Sequence, residues 1–138
     1  GLQQGRPLVY NMPASFEVPA LVQDDFQTGV AAQWTTLPGS QFAVRSNGTT
    51  QVFRQSSLTG DAGAVHPASM TNQSVSADIR PTAFNGADRW FGLMTRYTDN
   101  ANYYYVTVRS SGVISLRRLY RGVATQLAPS SCSSLSIA

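Results

Sequence analysis

Along residues 88–119 the side chains alternate between apolar and polar with a period of two. Three runs, at residues 90–97, 103–109 and 113–119, are rich in aromatic and β-branched residues, a pattern typical of antiparallel strands. An Asp- and Asn-rich cluster separates the first two runs, and Ser-Ser-Gly separates the last two. Gly112 supplies the positive φ that a short hairpin connection commonly needs. This stretch therefore predicts a three-stranded antiparallel sheet.

The same period of two recurs earlier in the chain. Residues 41–45 and 50–55 flank Asn47-Gly48, a dipeptide that strongly favours a hairpin turn. Residues 72–80 also alternate, and no segment has a convincing helical period. The number and spacing of these runs predict an all-β protein, built as an antiparallel two-sheet β-sandwich of the jelly-roll type.

The first part of the chain has no such period. Residues 1–23 contain Pro7, Pro13 and Pro19, which exclude a long helix there. We therefore predict an N-terminal arm or linker at residues 1–23 and a single sandwich domain at residues 24–138, a length that suits one domain.

Charge gives little reason to expect a nucleic acid or a membrane as partner. Only 12% of the residues are charged and the formal net charge is +3. Arg117, Arg118 and Arg121 are the one basic cluster, and three charges bind nucleic acid weakly at physiological salt. No apolar run reaches the roughly 18 residues of a membrane-spanning helix. The sequence thus predicts no nucleic acid and no membrane partner.

The residues around the alternating stretch resemble those of a known family. Asp-Asp-Phe at 24–26 is followed by Trp34, then by S-V-S-A-D-I-R-P-T-A-F-N-G, and then by the run at residues 88–128. In that order they resemble the concanavalin A-like lectin/glucanase superfamily, and within it the laminin-G-like jelly-roll modules of bacterial polysaccharide-acting proteins. The resemblance covers residues 24–128, and it implies a jelly-roll fold and a secreted or cell-surface location.

The end of the chain departs from that family. Modules of this kind continue past Ala128 with further strands, whereas this sequence runs through Pro129 and stops at Ala138. The resemblance therefore implies a sandwich that is short at its C-terminus, with an open sheet edge that favours association. The fold is then a trimmed variant, or another copy or chain completes it, or the N-terminal arm folds back into the gap. A homo-oligomer formed through the sheet edge is one expected outcome.

One face of the predicted sheet collects aromatic rings, guanidinium groups and hydroxyl groups. Rings stack on the C–H faces of sugars, polar groups bond sugar hydroxyls, and Arg grips the carboxylates of acidic sugars. Ordinary cross-strand packing of solvated side chains is the competing interpretation. By the alternation along each strand, the residues of this face are Trp90, Arg96, Tyr103, Tyr105, Thr107, Arg109, Ser115 and Arg117.

Catalysis finds little support in the sequence. Glycosidases generally use two carboxylates that flank the scissile bond, but Glu17 is the only Glu and Asp78 is the only Asp inside a predicted strand. The E-x-D-x-x-E signature of glucanases in the resembling superfamily is absent. Tyr105 with Arg109 or Arg96 has the residue types of a lyase base and neutraliser, but such pairs are common. We predict no catalytic residues.

The sequence shows no zinc-ligand spacing and no phosphate-binding glycine loop. Some modules of the resembling superfamily hold a calcium ion at an early Asp, which implies Asp24 or Asp25 as metal ligands; turn capping by these side chains is the alternative. No other cofactor is expected. His66 and Cys132 stand alone, and we expect a surface histidine and a free thiol.

Together these observations predict a non-catalytic, lectin-like carbohydrate-binding module for a polysaccharide, from a secreted bacterial system. One alternative is a structural or protein-interaction β-sandwich that oligomerises through an open sheet edge. Another is a fragment of a polysaccharide lyase or glycoside hydrolase.

Overall fold

The computed structural model describes residues 22–67 and 72–131, and this part of the chain contains strands and no helix. All the strand pairs are antiparallel, so the all-β, antiparallel prediction is confirmed at this level. The strands are β1 (Thr35–Thr36), β2 (Phe42–Ser46), β3 (Gln51–Gln55), β4 (Ala64–Val65), β5 (Trp90–Asp99), β6 (Asn102–Arg109), β7 (Val113–Tyr120) and β8 (Val123–Ser131).

The largest sheet has four strands in the order β5-β6-β7-β8. Its first three strands confirm the three runs predicted from the period of two, each longer by one or two residues. β8 was not predicted. The register between β7 and β8 shifts at Leu116 and Arg117, and Pro129 cannot donate a ladder hydrogen bond. Both features obscure the alternation that identifies a strand.

Sequential hairpins place β6 and β7 in the middle of this sheet and β5 and β8 at its edges. The expected open edge therefore corresponds to β8 among the described residues, and association through it stays a prediction. The N-terminal arm, except for residues 22 and 23, lies outside the described residues, as do Cys132 and the last residues of the chain.

The hairpin predicted around Asn47-Gly48 is confirmed as β2 and β3. Gly48 has a φ of 98°, a conformation that costs glycine little because it has no Cβ. The Oδ1 atom of Asn47 accepts the backbone N–H groups of Thr49 and Thr50, both at 2.9 Å. The asparagine side chain thus caps the turn.

The strand predicted at residues 72–80 is wrong. No strand is assigned there, and the apolar side chains that were expected to be buried are exposed, Val75 by 44% and Ile79 by 41%. Nearby, the side-chain Oε1 of Gln73 accepts the backbone N–H of Arg96 in β5 at 2.7 Å. The backbone N–H of Arg96 therefore donates to a side chain, whereas in a ladder it would donate to a backbone carbonyl of the neighbouring strand.

Phenylalanine and tryptophan rings hold the first part of the domain together. Phe53 lies 4.9 Å from Phe26 and 4.9 Å from Phe42, measured between ring centroids, and 5.8 Å from Trp34. These side chains come from β2, β3 and the segment before β1. We call Phe26, Trp34, Phe42 and Phe53 the phenylalanine cluster.

The loop that leads into β4 packs against the four-stranded sheet. Leu37 donates its backbone N–H to the carbonyl of Gly63 at 2.8 Å. A Cβ atom placed on Gly63 would lie only 3.1 Å from Cε of Met94 in β5, so the Gly63 backbone lies against that side chain. The loop therefore lies on the side of the sheet to which Met94 points.

Candidate functional site

The strand register fixes which side chains share one face of the four-stranded sheet. Trp90 pairs with Arg109, Gly92 with Thr107, and Met94 with Tyr105. On the other side of β6, Thr107 pairs with Ser115, Tyr105 with Arg117 and Tyr103 with Leu119. Because paired residues in a ladder point to the same side, we define the ring face as Trp90, Gly92, Met94, Tyr103, Tyr105, Thr107, Arg109, Ser115, Arg117 and Leu119.

The intervening residues of the same strands point the other way and form an aliphatic face. Within the described residues no apolar side chain is fully buried. Leu116, on this face, is 41% exposed. The apolar residues of this face, besides Tyr104, are Phe91, Leu93, Val106, Val108, Ile114 and Leu116.

The structure brings seven of the eight residues predicted for this face onto the ring face, and the eighth is Arg96. The β5–β6 register shifts between Thr95 and Asp99 and gives Arg96 no partner on β6, and Arg96 has a φ of 52° inside that irregular segment. A bulge inverts the alternation beyond it. Tyr97 lies on the ring face, with its ring 5.8 Å from that of Tyr103. The position of Arg96 on this face stays a prediction.

Four aromatic rings form an unbroken series of contacts across the ring face. Trp90 lies 5.7 Å from Tyr105, Tyr105 lies 5.4 Å from Tyr103, and Tyr103 lies 5.8 Å from Tyr97. The Tyr103–Tyr105 pair is edge-to-face, whereas Tyr97 stacks on Tyr103 at 26°. We call Trp90, Tyr105, Tyr103 and Tyr97 the tyrosine row.

Two rings of this row lean over a line of small residues. Trp90 and Tyr105 sit on strand positions about 13 Å apart along the sheet, yet their ring centroids are 5.7 Å apart. Both side chains must therefore lean toward the positions between them, which hold Gly92 and Thr107. Thr107 is 0% exposed and its sheet neighbour Ser115 is 2% exposed.

The hydroxyl of Thr107 has no hydrogen-bond partner although it is buried. A buried polar group without a partner is costly, and each such group in a folded protein requires an explanation. Here the unsatisfied hydroxyl lies in the middle of the ring face, between the rows that carry Arg109 and Tyr105.

Arg117 is held in place by neutral groups. Its Nε donates to the hydroxyl of Tyr105 at 3.3 Å, and its Nη1 donates to Oε1 of Gln126 at 3.2 Å. No carboxylate forms an ion pair with it among the described residues. Its positive charge is therefore oriented but not neutralised, an arrangement suited to an incoming anion.

Arg109 is already paired. Its Nη1 lies 3.2 Å from Oδ2 of Asp88 and also donates to the Asp88 carbonyl at 3.0 Å. The carboxylate side of this pair is well exposed, and exposed ion pairs stabilise a fold little. The pair therefore fixes the direction of Arg109 beside Trp90 more than it stabilises the domain.

Burial raises the pKa of Tyr103 above the ordinary value for a phenol, and the neighbouring Tyr105, Asp61 and Tyr97 raise it further. Asp61 belongs to the loop before β4. The contact between Gly63 and Met94 places that loop beside the ring face, because Met94 is one of its members.

The two candidate calcium ligands both act within turns. Asp24 accepts the backbone N–H of Phe26 and the indole N–H of Trp34, both at 2.8 Å, and Asp25 accepts the backbone N–H of Gln27 at 3.0 Å. No group of three or more His, Cys, Asp or Glu side chains that could hold a metal ion occurs in residues 22–67 and 72–131. A calcium site at Asp24 or Asp25 stays a prediction.

His66 is half-buried rather than a surface histidine. Its ring contacts Trp34 edge-on at 5.6 Å, and its Nε2 lies 2.8 Å from Oε1 of Gln33. The histidine therefore belongs to the packing around the phenylalanine cluster and lies apart from the ring face.

Comparison of this chain with protein-family models, with curated proteins and with solved structures found no match. In the part of the chain that the structure describes, no helix has the length and hydropathy needed to cross a membrane.

Sequence reasoning missed two members of the site. Tyr97 was missed because nothing local marks the bulge that turns it onto the ring face. Gln126 lies on a strand that was not predicted. The rings themselves carried the one sequence signal for Tyr97, since four tyrosines follow Trp90 within 15 residues.

Proposed function

We propose that this protein is a non-catalytic carbohydrate-binding module that holds a polysaccharide on its ring face. In this proposal the antiparallel sheets belong to a jelly-roll sandwich like those of the concanavalin A-like superfamily, and the module acts in a secreted bacterial system. The observation that carries the proposal is the tyrosine row, flanked by Arg109 and Arg117 on the same face.

The chemistry of the row suits a sugar better than it suits a core. Rings that pack only against each other are usually phenylalanine, whereas each tyrosine adds a hydroxyl that requires a partner when it is buried. Trp90 is 37% exposed and offers an accessible ring for the C–H face of a sugar. The free donors of Arg117 are then available to sugar hydroxyls or to a sugar carboxylate.

Arg117 favours an acidic polysaccharide as the ligand. A guanidinium binds a carboxylate through two parallel hydrogen bonds, and this geometry is most effective when the arginine is already oriented. Tyr105 and Gln126 orient Arg117 without neutralising it. Arg109 contributes less to binding an acidic sugar, because its guanidinium group already pairs with the carboxylate of Asp88.

Affinity electrophoresis tests the proposal directly. The protein should migrate more slowly in a gel that contains polygalacturonate than in one that contains its fully methyl-esterified, uncharged form. The changes Tyr105→Ala and Arg117→Gln should each weaken the retardation by about tenfold, the usual cost of losing a charge-assisted or stacking contact. Arg109→Ala should weaken it less.

Tyr104→Ala is the matched control, since Tyr104 is the neighbouring tyrosine on the same strand but pairs with Arg118 on the opposite side of the sheet. It should leave migration unchanged. Equal losses for Tyr104→Ala and Tyr105→Ala, or no retardation on either polysaccharide, would exclude the ring face as the binding surface.

A further inference from the structure

The hairpin that joins β7 to β8 carries a second cluster of charge, on the side of the sheet opposite the ring face. Tyr120 pairs with Val123, so Arg121 and Gly122 form a two-residue loop. Their φ values are 51° and 79°, as in a type I′ turn, which favours Asn, Asp or Gly at its first position. An arginine with positive φ is unfavourable there. Such an outlier suggests that the side chain has a role.

Two guanidinium groups share one tyrosine ring in this hairpin. The Cζ atom of Arg118 lies 5.6 Å from the centroid of the Tyr120 ring, and that of Arg121 lies 5.2 Å from it. The ring attracts each cation, but it also brings two like charges close together. Tyr120 is 52% exposed, so the cluster faces solvent.

Neither charge is neutralised within the described part of the chain, where the one ion pair joins Arg109 to Asp88. The Nε of Arg118 is buried and has no hydrogen-bond partner. Thr125, which pairs with Arg118 across the ladder, adds a hydroxyl on the same side of the sheet. These side chains provide hydrogen-bond donors and positive charge for an acceptor that residues 22–67 and 72–131 do not supply.

The acidic group of the neighbouring turn is engaged elsewhere. The β7–β8 turn lies against the β5–β6 turn, because Gly122 donates to the carbonyl of Ala101 at 3.0 Å and Arg121 donates its backbone N–H to Oδ1 of Asn102 at 2.9 Å. Asp99, in that second turn, accepts the backbone N–H of Ala101 and the amide of Asn102, both at 2.8 Å. Its carboxylate makes no ion pair with either arginine.

We propose that Arg118, Arg121 and Thr125 form an oxyanion-binding site that takes a sulfate ester or a carboxylate of a polyanionic chain. Planar guanidinium groups bind such oxyanions through paired hydrogen bonds. Since Arg118 and Arg117 are adjacent on β7 and point to opposite sides of the sheet, this site is separate from the ring face.

Binding of dextran sulfate, carboxymethyl dextran and unmodified dextran tests the site, measured in a Tyr105→Ala background so that the ring face contributes little. The protein should bind the sulfated or the carboxymethylated polymer and not the neutral one, and the stronger of the two identifies the preferred group. The change R118Q/R121N should lower that affinity by at least about tenfold, as expected when two charged hydrogen-bond donors are lost.

R45Q/R54Q is the matched control, because it removes the same charge from two exposed arginines on β2 and β3. Its loss should stay below about twofold, since a distant exposed charge is screened by salt. If the double variant misfolds, R121N alone suffices; it should fold at least as stably as the parent and still bind less. An equal loss in the control, or no preference of the unmodified hairpin for charged dextran, would overturn the proposal.

Discussion

The domain contains two groups of aromatic rings that are alike in number and spacing but different in chemistry. The phenylalanine cluster has three phenylalanines and one tryptophan, and Asp24 accepts the indole N–H of that tryptophan. The tyrosine row has three tyrosines and one tryptophan, and Tyr105 meets a guanidinium. The first group satisfies its own polar atoms, whereas the second leaves hydroxyl groups and a positive charge available. Ring contacts alone therefore do not distinguish a core from a binding surface.

The surroundings of the two groups differ in charge. Around the phenylalanine cluster, Gln27 bonds both the hydroxyl of Thr50 and the backbone of Gln51, which fixes the first segment onto the β2–β3 hairpin. Each region has one buried polar atom without a partner, Nδ1 of His66 beside Trp34 and the hydroxyl of Thr107 beside the tyrosine row. The tyrosine row differs in having Arg117 beside it, whose positive charge pairs with no carboxylate of the described residues.

Truncating one ring in each region should separate stability from binding, and this comparison has the largest expected effect. Phe53→Ala removes the ring that contacts the other three of its cluster. We expect it to lower the free energy of unfolding by about 3 kcal/mol, near the low end for a phenylalanine truncation because the side chain is half-buried. Tyr105→Ala should cost about 1 kcal/mol and abolish most polysaccharide binding.

Chemical denaturation and affinity electrophoresis on the same two variants provide the measurements. Phe53→Leu serves as the control for the first, since it keeps most of the apolar volume and should cost clearly less than alanine. If Tyr105→Ala destabilised the domain as much as Phe53→Ala, the tyrosine row would be a second core and the contrast between the regions would fail.

The sequence allowed the strands of the sheet to be predicted more closely than the site. Alternation identified β5, β6 and β7, and its parity put Trp90, Tyr105 and Arg109 on one side, because side chains in a strand must point to opposite faces in turn. Parity failed at Tyr97, because the register shifts between Thr95 and Asp99 and turns Tyr97 onto the ring face.

The same rule explains the other failures. Residues 72–80 alternate as a strand does, but alternation describes only one strand, and a ladder also requires a partner whose donors and acceptors are free. The line of small residues under Trp90 and Tyr105 depends on pairing across three strands, which no local pattern in the sequence reveals. Tertiary contacts decided both outcomes.

Gly92 offers a way to change the ring face without removing any ring. A Cβ atom at this position would collide with the backbone carbonyl of Val106 on the neighbouring strand. Gly92→Ala should therefore lower the free energy of unfolding by about 2 kcal/mol, as overpacking usually does. It should also lift Trp90 away from Tyr105, so that tryptophan fluorescence changes in the folded state.

Gly112→Ala is the control for that change. Gly112 has a φ of 87° and no atom near the position of a new Cβ, so its cost arises from the backbone conformation alone. It should destabilise the β6–β7 hairpin while leaving the fluorescence of the folded protein as it was. Equal effects of the two variants on fluorescence would mean that the small residues under Trp90 do not position its ring.

The smallest expected effect is on the titration of Tyr103. Burial, followed by the neighbouring Tyr105, Asp61 and Tyr97, raises the pKa of this phenol above its ordinary value of 10.0. The folded state therefore favours the neutral phenol. The stability it contributes is fully present below the ordinary pKa, and it is lost as the pH rises from there through the raised value. Tyrosinate absorbance during an alkaline titration should show a late-titrating group that Tyr103→Phe removes.

Asp61→Asn makes this titration a test of how the loop before β4 borders the ring face. A negative charge near a phenol disfavours its ionisation, so removing the charge of Asp61 should bring the late titration of Tyr103 to lower pH while burial keeps it above the ordinary value. Asp78→Asn removes an equal charge from an exposed position outside the sheets and should leave the titration unchanged. If Tyr103 titrated alike in the two variants, the loop would not lie beside the tyrosine row. The proposed binding surface would then be bounded only on the side that carries Trp90 and Arg109.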